Sequence, residues 1–306
     1  MKAPAQLRNS SKALAGEKSR SPAYIINTSL AILALLLLLI SPAKANEQTL
    51  TYEVYAGGIH AVQATLLIKT DKNNQYDLIL DAKTRGFLGK LAPWEGTFES
   101  HGRIEDKTAF KPDMHKSTTG WEEDIDIKEY LYNRDGTFKS LKITDEYSKN
   151  EKRDVSQELT DHTIDALTAT LQVLNDYNET NKCEGSAEVF DGKRRFEQKF
   201  KHVKNTTLES STYNIYAGDA AECTVEVTPV AGEWHKKPRG WMSIQEQGRE
   251  RGTMPTVWLG KMAENAPAIP VKIRVKTAYG TLFMHLAEYQ NEGQIIVAEK
   301  RVTEAD

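Results

Sequence analysis

The residues of this chain best able to do chemistry are few and far apart. Cys183 and Cys223 are the whole thiol inventory of its 306 residues. In an oxidising compartment such a pair forms one disulfide. Closing a loop of about 40 residues stabilises by roughly 3 to 4 kcal/mol in the chain-entropy account. Two unrelated buried thiols are the alternative reading. A redox-active pair is disfavoured because there is no Cys-x-x-Cys spacing. The seven histidines are His60, His101, His115, His162, His202, His235 and His285. No two stand at zinc-ligand spacing, and no His-Glu-x-x-His occurs, so no metal is expected. The chain also lacks a Gly-x-Ser-x-Gly elbow, a phosphate-cradling Gly-x-x-x-x-Gly-Lys and a dinucleotide Gly-x-Gly-x-x-Gly. We therefore expect a protein that is not an enzyme and carries no cofactor. A hydrolase with a dispersed site stands as an alternative, because triads and carboxylate pairs meet in space rather than along the chain.

Two denser clusters remain. Glu122, Glu123, Asp124 and Asp126 could offer carboxylate oxygens to a hard cation. They lack the Gly-centred spacing of a calcium loop, and a solvated turn is the simpler reading. The run from Trp234 to Trp241, Trp-His-Lys-Lys-Pro-Arg-Gly-Trp, mixes aromatics with cations, and Arg249 and Arg251 follow. Such a mixture suits anionic lipid headgroups or glycans, through stacking and charge. The simpler reading, which we prefer on sequence alone, is a surface loop whose tryptophans tuck into a sheet edge.

The elements that must position these residues are mostly strands. Residues 30–40 are an unbroken apolar run, preceded by Lys2, Arg8, Lys12, Lys18 and Arg20 and followed by Ala43-Lys44-Ala45. That is the pattern of a secretory signal peptide, 1–45, cleaved after Ala45. The run is shorter than the roughly 20 residues of a spanning helix, so no permanent membrane span is expected. Cleavage removes six basic residues and one acidic one, leaving 34 basic and 42 acidic, a net of −8. A chain so charged has no global attraction for nucleic acid.

Residues 46–306 read as a single β-rich domain. Tyr52, Val54 and Ala56 alternate with polar neighbours, Gly57-Gly58 turns the chain, and further strands follow at 59–70 and 75–84. Asn133-Arg134-Asp135-Gly136 and Asp191-Gly192 are hairpin signals. After the second, Phe196, Gln198, Phe200 and His202 share one face of a strand, and Glu197, Lys199 and Lys201 share the other. The charged stretch 148–157 reads as a loop, 212–216 as a strand, and 231–266 as an irregular Trp-rich segment holding Trp234, Trp241 and Trp258. Three closing strands are expected at 270–278, 281–289 and 294–302. One segment breaks the pattern. Ile164, Leu167, Leu171 and Leu174 fall three and four apart, predicting an amphipathic helix over 161–177 capped by Thr160 or Asp161. Its stripe must lie on a sheet or cover a cavity as a lid.

The order of motifs resembles a known family. It runs from Tyr52-Glu-Val-Tyr-Ala-Gly-Gly-Ile59, through Phe98-Glu99-Ser100-x-Gly102 and Thr163-Ile-Asp165-Ala-Leu167-Thr168. It continues through Cys183 and the hairpin to Phe196, and ends at Pro270-Val-Lys-Ile and Gly280. This is similar to an exported bacterial family catalogued as domain of unknown function 3108. The resemblance implies no activity and no catalytic residues. It does imply an architecture similar to the periplasmic lipoprotein carriers: a strongly curved antiparallel sheet, or half-barrel, around an apolar cavity, with one central helix packed on or over it. From these readings together we expect a periplasmic protein that binds an apolar or amphipathic envelope component. Its ligand would contact Ile164, Leu167, Leu171, Leu174, Trp234, Trp241 and Trp258. The alternative is a scaffold that docks an envelope protein partner through a sheet edge or the Trp-rich segment.

Overall fold

In the computed structural model of the chain, the described residues are 46–302, with Ser148 and Tyr279 excepted. The segment 1–45, read as a signal peptide, lies outside them. Alternating apolar and polar residues make strands, and residues tolerant of positive φ turn them. β1 (Asn46–Ala56), β2 (Ile59–Thr70) and β3 (Gln75–Thr84) form a meander, with Gly57 and Gly58 at φ 57° and 90° in the first turn. A short helix, α1 (Gly86–Leu91), precedes β4 (Trp94–Glu105), β5 (Ala109–Trp121), β6 (Asp124–Tyr132), β7 (Phe138–Thr144) and β8 (Glu151–Arg153). The charged stretch expected as a loop therefore holds a three-residue strand, paired to β7 at Leu141–Ile143.

After β8 come the single-turn helix α2 (Gln157–Thr160) and the long helix α3 (Ala166–Thr180). The helix begins later than its periodicity predicts. Asp161 closes α2, His162 takes a left-handed φ of 55°, and the next helix begins only after an extended Asp165. The cap is Asp165, not Thr160 or Asp161: its carboxylate accepts from Thr168 N at 2.9 Å. Ile164 thus falls outside the helix. Its backbone bonds to the next strand, accepting from Phe190 N at 3.2 Å and donating to Glu188 O at 2.9 Å.

The second half supplies β9 (Gly185–Phe190), β10 (Arg194–Leu208) and β11 (Gly218–Gly232), then α4 (Trp241–Glu250), β12 (Thr256–Lys261), β13 (Ala268–Thr277), β14 (Gly280–Asn291) and β15 (Gln294–Val297). Residues 212–216, expected as a strand, are a loop: the Asn214 backbone turns back on Ser211, accepting from Ser211 N at 2.8 Å, while its side chain accepts from Tyr216 N and donates to Val271 O. The Trp-rich segment is more ordered than its Pro and Gly content suggests. Gln245 of α4 is wholly buried, and its amide bonds both Val227 O, at 2.8 Å, and Val227 N, at 2.6 Å. It takes the place of a neighbouring strand where β11 runs beyond β12. The last strand ends at Val297, short of 302, since β14 offers β15 partners only from Glu288 to Asn291.

All strands join one antiparallel sheet, ordered β8 to β1 and then β14 to β9, with β15 on the free half of β14. Two meanders are thus joined where β1 pairs with β14, Leu50 opposite Tyr289. Among the described residues the sheet does not close by hydrogen bonds, since β8 and β9 are its ends. It is strongly curved: Leu50, Leu78, Val257, Ile269 and Leu286, from both meanders, share one core with Leu171, Leu174 and Tyr177 of α3. Side chains bridge the gap between the ends. Phe190 packs edge-on against Phe138 at 5.5 Å and Tyr130 at 5.9 Å.

Candidate functional site

Beside the α3 core, the inner face of β10 to β13 bounds a cavity of 800 Å³. Alternation places its walls: Phe196 and Phe200 on β10, Val225 and Val227 on β11, Val257 and Leu259 on β12, Ile273 and Val275 on β13. Trp234 and Trp241 also line it. Trp234 is held in place, its Nε1 donating to Ala231 O at 3.0 Å, the Arg194 guanidinium 4.8 Å above its ring and Phe196 edge-on at 6.3 Å. Trp241 Nε1 is buried without an acceptor. The lining also holds Asp191, Arg194, His235 and Arg239, the last two exposed to solvent. Asp191 is already satisfied, accepting from Arg194 N at 2.8 Å and Arg194 Nε at 2.9 Å.

The residues singled out by sequence are brought only partly together. Trp234 and Trp241 line this cavity. Trp258, between Val257 and Leu259, faces the other way, with Lys272 and Arg274 over its ring at 5.4 and 5.3 Å. Leu171 and Leu174 are core residues bordering a separate crevice of 270 Å³. Leu167 borders a third space, of 350 Å³, beside His115 and Asp165, and Ile164 is occupied with β9. Of α3, Thr170 alone reaches the large cavity. Sequence reasoning did not assign the β10–β13 wall. Its signal was present in the shared face of Phe196, Gln198 and Phe200.

His115 and Asp165, which line the 350 Å³ space, meet the buried Ser100 behind its wall in a Ser, His and Asp grouping. Ser100 Oγ donates to Asp165 Oδ1 at 2.7 Å and lies 2.8 Å from His115 Nδ1, which is 3.5 Å from the same carboxylate. In a hydrolytic triad the imidazole stands between hydroxyl and carboxylate, and the hydroxyl faces substrate. Here the hydroxyl stands in the middle and is wholly buried. Thr168 Oγ1 also donates to Asp165, at 2.7 Å, and lies 2.9 Å from Tyr76 Oη. The cluster ties the start of α3 to β3, β4 and β5. Burial pushes the His115 pKa below its ordinary 6.5, against the opposing pull of Asp165 and Glu99. The unfolded chain then takes up this proton first, so stability is lost as pH falls through about 6.5. We expect urea midpoints to drop on acidification from pH 7.5 to 5, and to drop less in His115→Gln; an unchanged slope in the variant would contradict the assignment.

Cys183, just after α3, is bonded to Cys223 on β11, with Cα atoms 6.2 Å apart. His202 Nδ1 lies 3.7 Å from Cys183 Sγ. These three residues could group around a metal, but with the sulfurs joined to each other they offer no thiolate pair.

The fold and cavity define a class: an open antiparallel half-barrel with a mostly apolar cavity against its sheet. The chain belongs to the family described as Protein of unknown function (DUF3108), which it matches over residues 51–287. No curated protein matches it in sequence. Among solved structures it is similar to a beta-barrel-like protein of the domain of unknown function DUF1849 from Brucella abortus. That likeness has 8% identity and a TM-score of 0.44, covering 81% of this chain and 97% of that one.

Proposed function

We propose that this is an exported envelope protein which binds an apolar or amphipathic molecule in the chamber lined by Trp234 and Trp241, and does so without catalysing a reaction. The observation that carries this is the chamber itself. Its 800 Å³ falls within the roughly 300–1,000 Å³ usual for ligand sites, and its walls are mostly aliphatic and aromatic. A periplasmic location is supported by the disulfide and by the basic and apolar pattern of residues 1–45. Among the described residues no helix is long and apolar enough to cross a membrane.

Native mass spectrometry of the protein purified from periplasm, with organic extraction, tests this directly. We expect a stoichiometric amphiphile. Delipidated protein should also bind the neutral fluorophore N-phenylnaphthylamine. Val225→Trp, at a half-buried wall position, should weaken that binding at least tenfold while leaving the melting temperature within a few degrees. Equal binding by the variant would sink the assignment of this cavity.

A second reading has its own observation. Ile295, Ile296 and Val297 of β15 are all exposed, and among the described residues the strand pairs on one side only, the arrangement that docks a partner by strand addition. A clean apo mass together with loss of a cross-linked envelope partner in Ile296→Lys would favour it.

A further inference from the structure

The chamber's mouth has a chemistry that its walls do not. Between Trp234 and Trp241 the chain carries His235, Lys236, Lys237 and Arg239 and no acidic residue, although the whole chain is net negative. Asp191 is the one acidic side chain on the cavity lining. It is used by Arg194, which bonds it and also stacks on Trp234. His235 and Arg239 line the mouth, and neither is bonded to a carboxylate among the described residues. An uncompensated guanidinium beside an apolar chamber of low dielectric attracts an anion more strongly than one in open water. Val257 and Leu259, on the same lining, are by contrast nearly or wholly buried.

Resting on the cavity reading above, we propose that the bound molecule is an anionic amphiphile. Its hydrocarbon chain lies along Phe196, Phe200, Val257 and Leu259, and its carboxylate or phosphate head meets Arg239 and His235 at the mouth. A guanidinium offers paired donors in a fork that matches either oxyanion.

The experiment is displacement of N-phenylnaphthylamine from the delipidated protein by three molecules with the same chain: hexadecanoate, hexadecyl phosphate and hexadecanol. Both anions should displace the fluorophore at concentrations at least tenfold lower than the alcohol. In the double variant His235→Gln/Arg239→Gln that preference should vanish, with the alcohol unchanged. Both positions are exposed, so the fold should survive. Whichever anion is stronger tells a fatty acid from a phosphate-headed lipid. Equal displacement by anions and alcohol, or a preference that survives in the double variant, overturns this inference and leaves the cavity reading standing. Failure of all three to displace the fluorophore overturns both.

Discussion

Replacing Cys183 and Cys223 together by alanine is expected to lower the unfolding free energy by about 4 kcal/mol, the chain-entropy value for so long a loop. The bond spans a sequence separation of 40 and joins the end of α3 to β11, so the loop it closes holds the β9–β10 hairpin. Both cysteines are fully buried, and alanine leaves no unpaired hydroxyl in their place. Urea melts of the native protein with and without reductant, beside the double variant, measure the effect. The reduced protein and the variant should agree, and a loss under about 1 kcal/mol would show that the unfolded chain is already constrained. A functional effect should accompany it. Cys223 pairs across strands with Val257, which lines the cavity, so amphiphile binding should weaken on reduction.

The second large effect is expected at Asp165. Its carboxylate is wholly buried and accepts from Ser100 Oγ, Thr168 N and Thr168 Oγ1. Asp165→Ala removes a helix cap worth about 1 kcal/mol. It also leaves buried hydroxyls short of an acceptor, at about 1–3 kcal/mol each. Ser100 can recover part of this by donating to His115 Nδ1. The sum is a loss of about 3 kcal/mol. Asp161→Ala is the control, because Asp161 is exposed and lies where periodicity alone puts the cap. It should change stability by no more than about 0.5 kcal/mol. Equal losses at the two positions would mean that the helix starts where the sequence pattern suggests.

The sequence by itself determined what depends on near neighbours. Alternation and turn residues marked most strands, as at Gly57-Gly58 and at Asp191-Gly192, where Gly192 has φ 94°. Two cysteines in an exported pattern marked the disulfide, and the order of turns and strand ends marked the family. The helix was legible from its spacing. Its start was not, since a non-glycine left-handed residue such as His162 leaves no sign in an apolar stripe. Nor was α4, whose anchor is one buried glutamine amide in a segment that reads as irregular. Tertiary structure alone decided that β1 pairs with β14, because no local signal specifies a partner more than 200 residues away. It also decided where the empty space lies. Alternation shows that Phe196, Gln198 and Phe200 share a face; only the curvature of the whole sheet settles whether that face meets a helix, as around Leu171 and Leu174, or a chamber.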